Sequence, residues 1–230
     1  ARESQPDDCL KEGINVGTER DLIMELITLS RELAAKGYAP ASGGNASLRT
    51  VEGVWITRSG CLMHSLTEED LVLVDENGQK IRGNGKPSKE IILHLAVYRK
   101  NPTAGVVFHF HPPHIIAASS LAVDGEDPIP VMVPTYLMRV CGTQLVPYAP
   151  PGSAELVRGV ERVAGNHQVI LLRNHGLVSS GETALQAAQA VEETEENARI
   201  YLLSGGRGTA LSQEECEWLK RSYWERGSGQ

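Results

Sequence analysis

After Thr18 the apolar residues Leu22, Ile23, Leu26, Ile27 and Leu33 recur at helical spacing, with Gly37 as a stop. Thr18 followed by Glu19 and Asp21 supplies an N-terminal cap, so the pattern predicts an amphipathic first helix. From Asn45 to about Gly83 the rhythm shortens to β-rich runs at 46–49, 54–57 and 71–74, divided by turns containing Gly, Asp and Asn. These predict antiparallel strands. Ser88 is placed to cap a second helix to about Arg99, which Asn101-Pro102 ends, and a strand over 105–111 stops at Pro112-Pro113.

Further strands are predicted near 129–133, 145–148, 169–172 and 177–179, with helices over 153–164 and 183–203. A last helix starts at Ser212, whose capping-box partner is Glu215, and carries Trp218, Leu219, Tyr223 and Trp224. The acidic run Glu192 to Glu196 reads as a solvated helix face. Short strands with helices inserted between them predict an α/β fold, a mixed or mostly antiparallel sheet covered by helices on both faces. Residues 1–17 read as a disordered tail and 18–230 as one domain.

The chain has 230 residues, 41% of them apolar, enough for a substantial single core. Its net charge of -7 is scattered, which argues for solubility and against nucleic-acid or anionic-membrane partners. An anionic substrate therefore needs a local positive site. No run approaches the roughly 18 apolar residues of a spanning helix. Cys9, Cys61, Cys141 and Cys216 form no C-x-x-C pair, so a zinc knuckle is not expected and a reduced cytoplasm is the simpler setting.

In Val106-Val107-Phe108-His109-Phe110-His111 the side chains alternate, so His109 and His111 project to one face and the phenylalanines to the other. An H-x-H alone fits either a metal site or an ordinary surface strand. Asn174-His175-Gly176 follows an apolar strand and offers a third imidazole at a strand end, where glycine allows a close backbone approach. Three imidazoles suit a divalent metal with positions left open for water or substrate. His64, His114 and His167 lie in turn-like or off-strand segments, and His94 reads as a packed helix histidine or a partner of Glu90 four residues earlier.

Glu90, in Lys86-Pro87-Ser88-Lys89-Glu90, is placed in the first helical turn, where it either complements the helix dipole or serves as an acid/base next to the metal. Ser42-Gly43-Gly44-Asn45, Thr57-Arg58-Ser59-Gly60 and Pro87-Ser88-Lys89 are ordinary turns or the pieces of an anion cradle. The nucleotide-binding motif G-x-x-x-x-G-K-[ST] is absent.

Taken together and in order, S-G-G-N-A-S-L-R, T-R-S-G, P-S-K-E, H-F-H and N-H-G resemble the class II aldolase/adducin family over about residues 20–225. The resemblance implies a three-layer α/β/α fold with a mixed, mostly antiparallel central sheet, and a homotetramer with active sites near subunit interfaces. It implies one divalent ion per subunit on His109, His111 and His175, zinc foremost, with manganese, cobalt or magnesium as alternatives. It makes Glu90 the acid/base carboxylate and Gly44, Asn45, Ser59, Gly60 and Ser88 a phosphate cradle, with Lys89 where a second serine is often found. Tyr136 matches a tyrosine that donates a proton across a subunit interface, and Tyr223 receives no role.

Longer stretches, including Tyr136-Leu137-Met138-Arg139-Val140, resemble the 3-oxo-tetronate 4-phosphate decarboxylase branch. Arg139 would there hold the departing carboxylate, or else form an ion pair between subunits. The expected substrate is a phosphorylated 3-oxo sugar acid, decarboxylated through an enediolate. Alternatives are a fuculose-phosphate-type aldolase or epimerase, an aromatic or heteroaromatic acid decarboxylase, and a non-catalytic adducin-like module, which the intact histidines and Glu90 oppose.

Overall fold

The computed structural model describes residues 17–122, 129–140 and 143–227, with side chains to Tyr223. Residues 1–16 of the expected tail, with Cys9, and Cys141 lie outside them. The described strands form an eight-stranded sheet: β1 (Asn45–Thr50), β2 (Gly53–Thr57), β3 (Leu71–Val74), β4 (Lys80–Gly83), β5 (Val106–Phe110), β6 (Thr143–Val146), β7 (Val169–Leu172) and β8 (Gly176–Gly181). Their order is β4-β3-β2-β1-β5-β8-β7-β6. Every neighbouring pair is antiparallel except β6–β7, which is parallel.

The helices are α1 (Glu19–Ala35), α2 (Ile91–Lys100), α3 (Pro113–Leu121), α4 (Pro134–Val140), α5 (Ala154–Val163), α6 (Ala184–Leu203) and α7 (Gln213–Gly227). Of these, α1 and α7 start where the caps at Thr18 and Ser212 predict. Thr18, Ser153, Thr183 and Ser212 accept from backbone N–H groups of the first turns, and Asp21 and Glu215 close capping boxes. The strand alternation then builds two cores. Phe108 and Phe110 pack with residues of α1, α3 and α6 on one face, while Val107 packs with residues of α2 and α5 on the other. This is the three-layer α/β/α arrangement.

Four local expectations need correction. No strand forms at 129–133; Pro130 lacks an N–H, and the side chain of Asn197 takes the place of a partner strand. It accepts from the N–H groups of Met132 (2.9 Å) and Val133 (3.3 Å) and donates to the Pro130 carbonyl (3.0 Å). The acidic run is not wholly a solvated face, because Glu195 is 3% exposed and caps α3, accepting from the N–H groups of His114 and Ile115 at 3.1 and 2.9 Å. The strand expected over 145–148 is β6, ended by Pro147. Finally, α2 starts at Ile91 with Glu90 as its cap residue: the Ser88 hydroxyl accepts from the Glu90 N–H (3.3 Å) and not from a helical one, and Pro87 bridges to Arg58.

Candidate metal centre

The centre of the sheet sets the site. In register, Asn45 of β1 lies opposite His109 of β5, and His109 opposite Val178 of β8. His109 is fully buried, and its Nδ1–H donates to the Leu177 carbonyl at 2.8 Å, which leaves Nε2 with an open lone pair. His111, one residue past the end of β5, brings its Nε2 to 3.1 Å from His109 Nε2. The turn between β7 and β8 supplies His175, following Asn174, whose φ of 56° is a left-handed conformation that Asn tolerates. The three ligand atoms lie within 4.8 Å of one another.

Two glycines make this approach possible. A Cβ at Gly176 would run into the Phe110 carbonyl oxygen and sit 2.8 Å from His111 Cδ2. One at Gly43 would sit 2.8 Å from His111 Nδ1. Glu90 completes the group, with Oε2 at 3.2 Å from His109 Nε2 and Oε1 at 3.5 Å from His175 Nε2.

Burial pushes the pKa of His111 down to about 3 and of His175 down to about 4, helped by the closeness of His109, so both rings are neutral ligands near pH 7. Burial alone would raise Glu90, but in the metal-free site the close approach of His109 and His175 and the N–H of the Asn45 amide outweigh it and hold the carboxyl well below its usual range. Glu90 Oε1 and His175 Nδ1 are buried without a hydrogen-bond partner in the protein. Three convergent imidazole nitrogens with a carboxylate beside them fit a divalent cation.

A cleft of about 700 Å³ opens over the group, lined by Glu90, His111 and His175. Gly44, Asn45, Ser59, Gly60, Ser88 and Lys89 line it too, so the predicted cradle is brought together. Sequence reasoning assigned no role to Arg58, Cys61 and the Pro151-Gly152 turn, which also line the cleft. Arg58 stood in the T-R-S-G segment and signalled its charge; it pairs with Asp70 at 2.7 Å. Cys61 and the turn carried no signal.

Two predicted residues are not at this chain's cleft. Tyr136 of α4 is fully buried in the core shared with α1, α3 and α6, its hydroxyl donating to Thr143 Oγ1 at 3.3 Å. Arg139 is exposed and donates to Gln189 at 3.1 Å. His114 stays off the metal group, paired with Glu195 at 2.7 Å. His94 is also off it, but bound to Asn45.

Residues 24–202 match the family described as the class II aldolase and adducin N-terminal domain. The chain is 34% identical, over 84% of its length and 89% of the relative's, to the 3-oxo-tetronate 4-phosphate decarboxylase of Pectobacterium atrosepticum. It is 36% identical, over 85% and 89%, to the L-fuculose phosphate aldolase of Haemophilus influenzae. The crystal structure of YgbL from Klebsiella pneumoniae superposes with a TM-score of 0.83 at 33% identity, covering 88% of this chain and 99% of that one. The L-fuculose 1-phosphate aldolase structure matches with a TM-score of 0.78 at 26% identity, over 90% and 98%. With its metal-ligand group, cleft and sheet all in place, the chain belongs to the class II aldolase and adducin family.

Proposed function

We propose that this enzyme is a metal-dependent carbon–carbon lyase that decarboxylates a phosphorylated 3-oxo sugar acid. One observation carries the reading: His109, His111, His175 and Glu90 converge in a cleft whose wall also holds Ser59, Ser88, Arg58 and Lys89. The similarity to 3-oxo-tetronate 4-phosphate decarboxylases, 34% and 35% identity in two bacteria, supports that substrate class. Zinc is the proposed ion, supported by the all-imidazole donor set, with manganese, cobalt and magnesium as alternatives. Such an ion supplies Lewis-acid stabilisation of the negative charge that develops on the substrate.

The chain's own groups do the rest. Backbone N–H groups at Gly44 and Gly60, the hydroxyls of Ser59 and Ser88 and the Lys89 ammonium would hold the phosphate. The bond from the carboxylate carbon to C2 then breaks, its electron pair stays on C2, and conjugation with the C3 carbonyl gives an enediolate as carbon dioxide leaves. Glu90 delivers one proton to C2, which completes a triose phosphate. Because Glu90 rests as a carboxylate, it first collects that proton from water or a substrate hydroxyl.

The same reading sets the enzyme in carbohydrate metabolism, in the cytoplasm, as a homotetramer. The free thiols Cys61 and Cys216 and the exposed Trp218 and Leu203 support it. Arg139, exposed and away from this chain's cleft, would act in it only from a neighbouring subunit, whereas Tyr136 is enclosed in its own chain's core and takes no part in this reading.

The test is carbon dioxide release from 3-oxo-tetronate 4-phosphate by metal-loaded protein, beside a chelated control and an aldol-cleavage assay on L-fuculose 1-phosphate. Metal-dependent release is expected. Cleavage of fuculose phosphate without carbon dioxide release would replace the reading with the aldolase one, which the similarity to the H. influenzae aldolase favours.

A further inference from the structure

Behind the cleft, on the side away from substrate, lies a continuous buried polar chain. The Asn45 amide nitrogen is 2.9 Å from Glu90 Oε2, and Asn45 Oδ1 is 2.5 Å from His94 Nε2. His94 Nδ1 is 2.7 Å from Ser47 Oγ, which is 2.8 Å from the Tyr98 hydroxyl. His94 is fully buried and Tyr98 nearly so, and neither lines the cleft. We infer that His94 is a positioning residue: by binding Oδ1 of Asn45 it steadies the amide whose N–H holds the acid/base carboxylate of Glu90.

Hydrogen-bond chemistry sets one direction along the chain. A carboxylate only accepts, so Asn45 must present its N–H to Glu90 and turn Oδ1 toward His94. His94 therefore carries its proton on Nε2 and accepts at Nδ1, where the Ser47 hydroxyl donates. Ser47 has then spent its only proton, so Tyr98 donates to Ser47, either to Oγ or to the carbonyl 3.1 Å away. Burial holds the imidazole neutral, with a pKa down to about 3, which keeps one donor and one acceptor on the ring.

A flipped Asn45 would set its oxygen against the carboxylate and, with His94 in this tautomer, its N–H₂ against the ring N–H. The flip leaves buried groups unpaired at two points, so the amide stays put. The result is an asymmetric carboxylate. Oε2 accepts from Asn45, whereas Oε1 has no hydrogen-bond partner in the protein. The chain thus assigns proton handling to Oε1 and holds it in one place.

This inference rests on the proposed role of Glu90, and two readouts separate the two. The first uses no turnover: ¹⁵N NMR of the imidazole rings in the metal-loaded protein should show His94 as the Nε2–H tautomer. An Nδ1–H tautomer overturns the inference whatever the enzyme does.

The second is exchange of the carbon-bound hydrogens of dihydroxyacetone phosphate with deuterium oxide, a reaction shared by decarboxylase and aldolase readings. His94→Leu should slow it by at least about tenfold, the size of one lost hydrogen bond to a charged group, with KM and metal content unchanged. His94→Gln, whose amide also donates on one side and accepts on the other, should recover most of the rate. In a Glu90→Gln background, His94→Leu should cost nothing further. Wild-type exchange in His94→Leu, or losses that multiply in the double variant, would overturn the inference. Should the leucine variant fail to fold, Ser47→Ala is expected to slow exchange in the same direction, and an unchanged rate and tautomer there would equally overturn it. No exchange in the wild-type enzyme would instead sink the enediolate reading, and the tautomer would still decide how Asn45 is held.

Discussion

At the residue scale the site is set by contacts too close for any side chain but the one present. Gly176→Ala would drive a methyl group into the Phe110 carbonyl and against His111, so we expect a loss of about 1–3 kcal/mol together with weaker metal binding. Urea denaturation and metal analysis check it, and unchanged values in both would refute the packing argument. His109→Ala should give a folded chain with little bound metal, because it removes the ligand whose orientation Leu177 fixes. Glu90→Gln should bind metal yet turn over about 100-fold more slowly, the lower bound for a lost general acid. Normal turnover would remove Glu90 from the mechanism. His109, His111 and His175 were legible because strand alternation and a following glycine are local properties of the chain. The task of His94 was not, since it passes through Asn45 on another strand, and that pairing appears only with the β1–β5 register.

Among the elements, those with a cap and a clear period were readable, and those defined by distant partners were not. The capped helices α1, α5, α6 and α7 follow directly from Thr18, Ser153, Thr183 and Ser212. The strand β4 has every residue exposed, so it carries no apolar alternation to announce it. The short helix α3 has no capping side chain of its own, and its cap arrives from Glu195, 80 residues away along the chain from Ile115. Glu195→Ala should therefore destabilise the protein by about 2 kcal/mol, the cost of stripping a buried acceptor from two helix-end N–H groups. A thermal or urea midpoint equal to wild type would show that α3 is held by packing alone.

For the molecule as a whole, the buried histidines tie stability to pH. In the unfolded chain His94, His111 and His175 take up protons near pH 6.5, whereas in the folded chain burial lowers them to about 3, 3 and 4. Acid therefore adds protons to the unfolded state first, and the stability present above about pH 6.5 declines as pH falls toward 4. Glu90, also depressed, acts in the same direction below its usual 4.5. The metal-free protein should show a lower urea midpoint at pH 5 than at pH 7.5, and His94→Gln should flatten that dependence; a midpoint that rises toward acid would contradict the burial argument. The placement of His109 between Asn45 and Val178 carries one more consequence. A slip of β5 by a single residue would turn Phe108 and Phe110 toward the cleft and bury both imidazoles in the opposite core. Metal binding would thus report on strand alignment: a correctly registered sheet offers the ion its imidazoles, and a slipped one would greet it with aromatic rings.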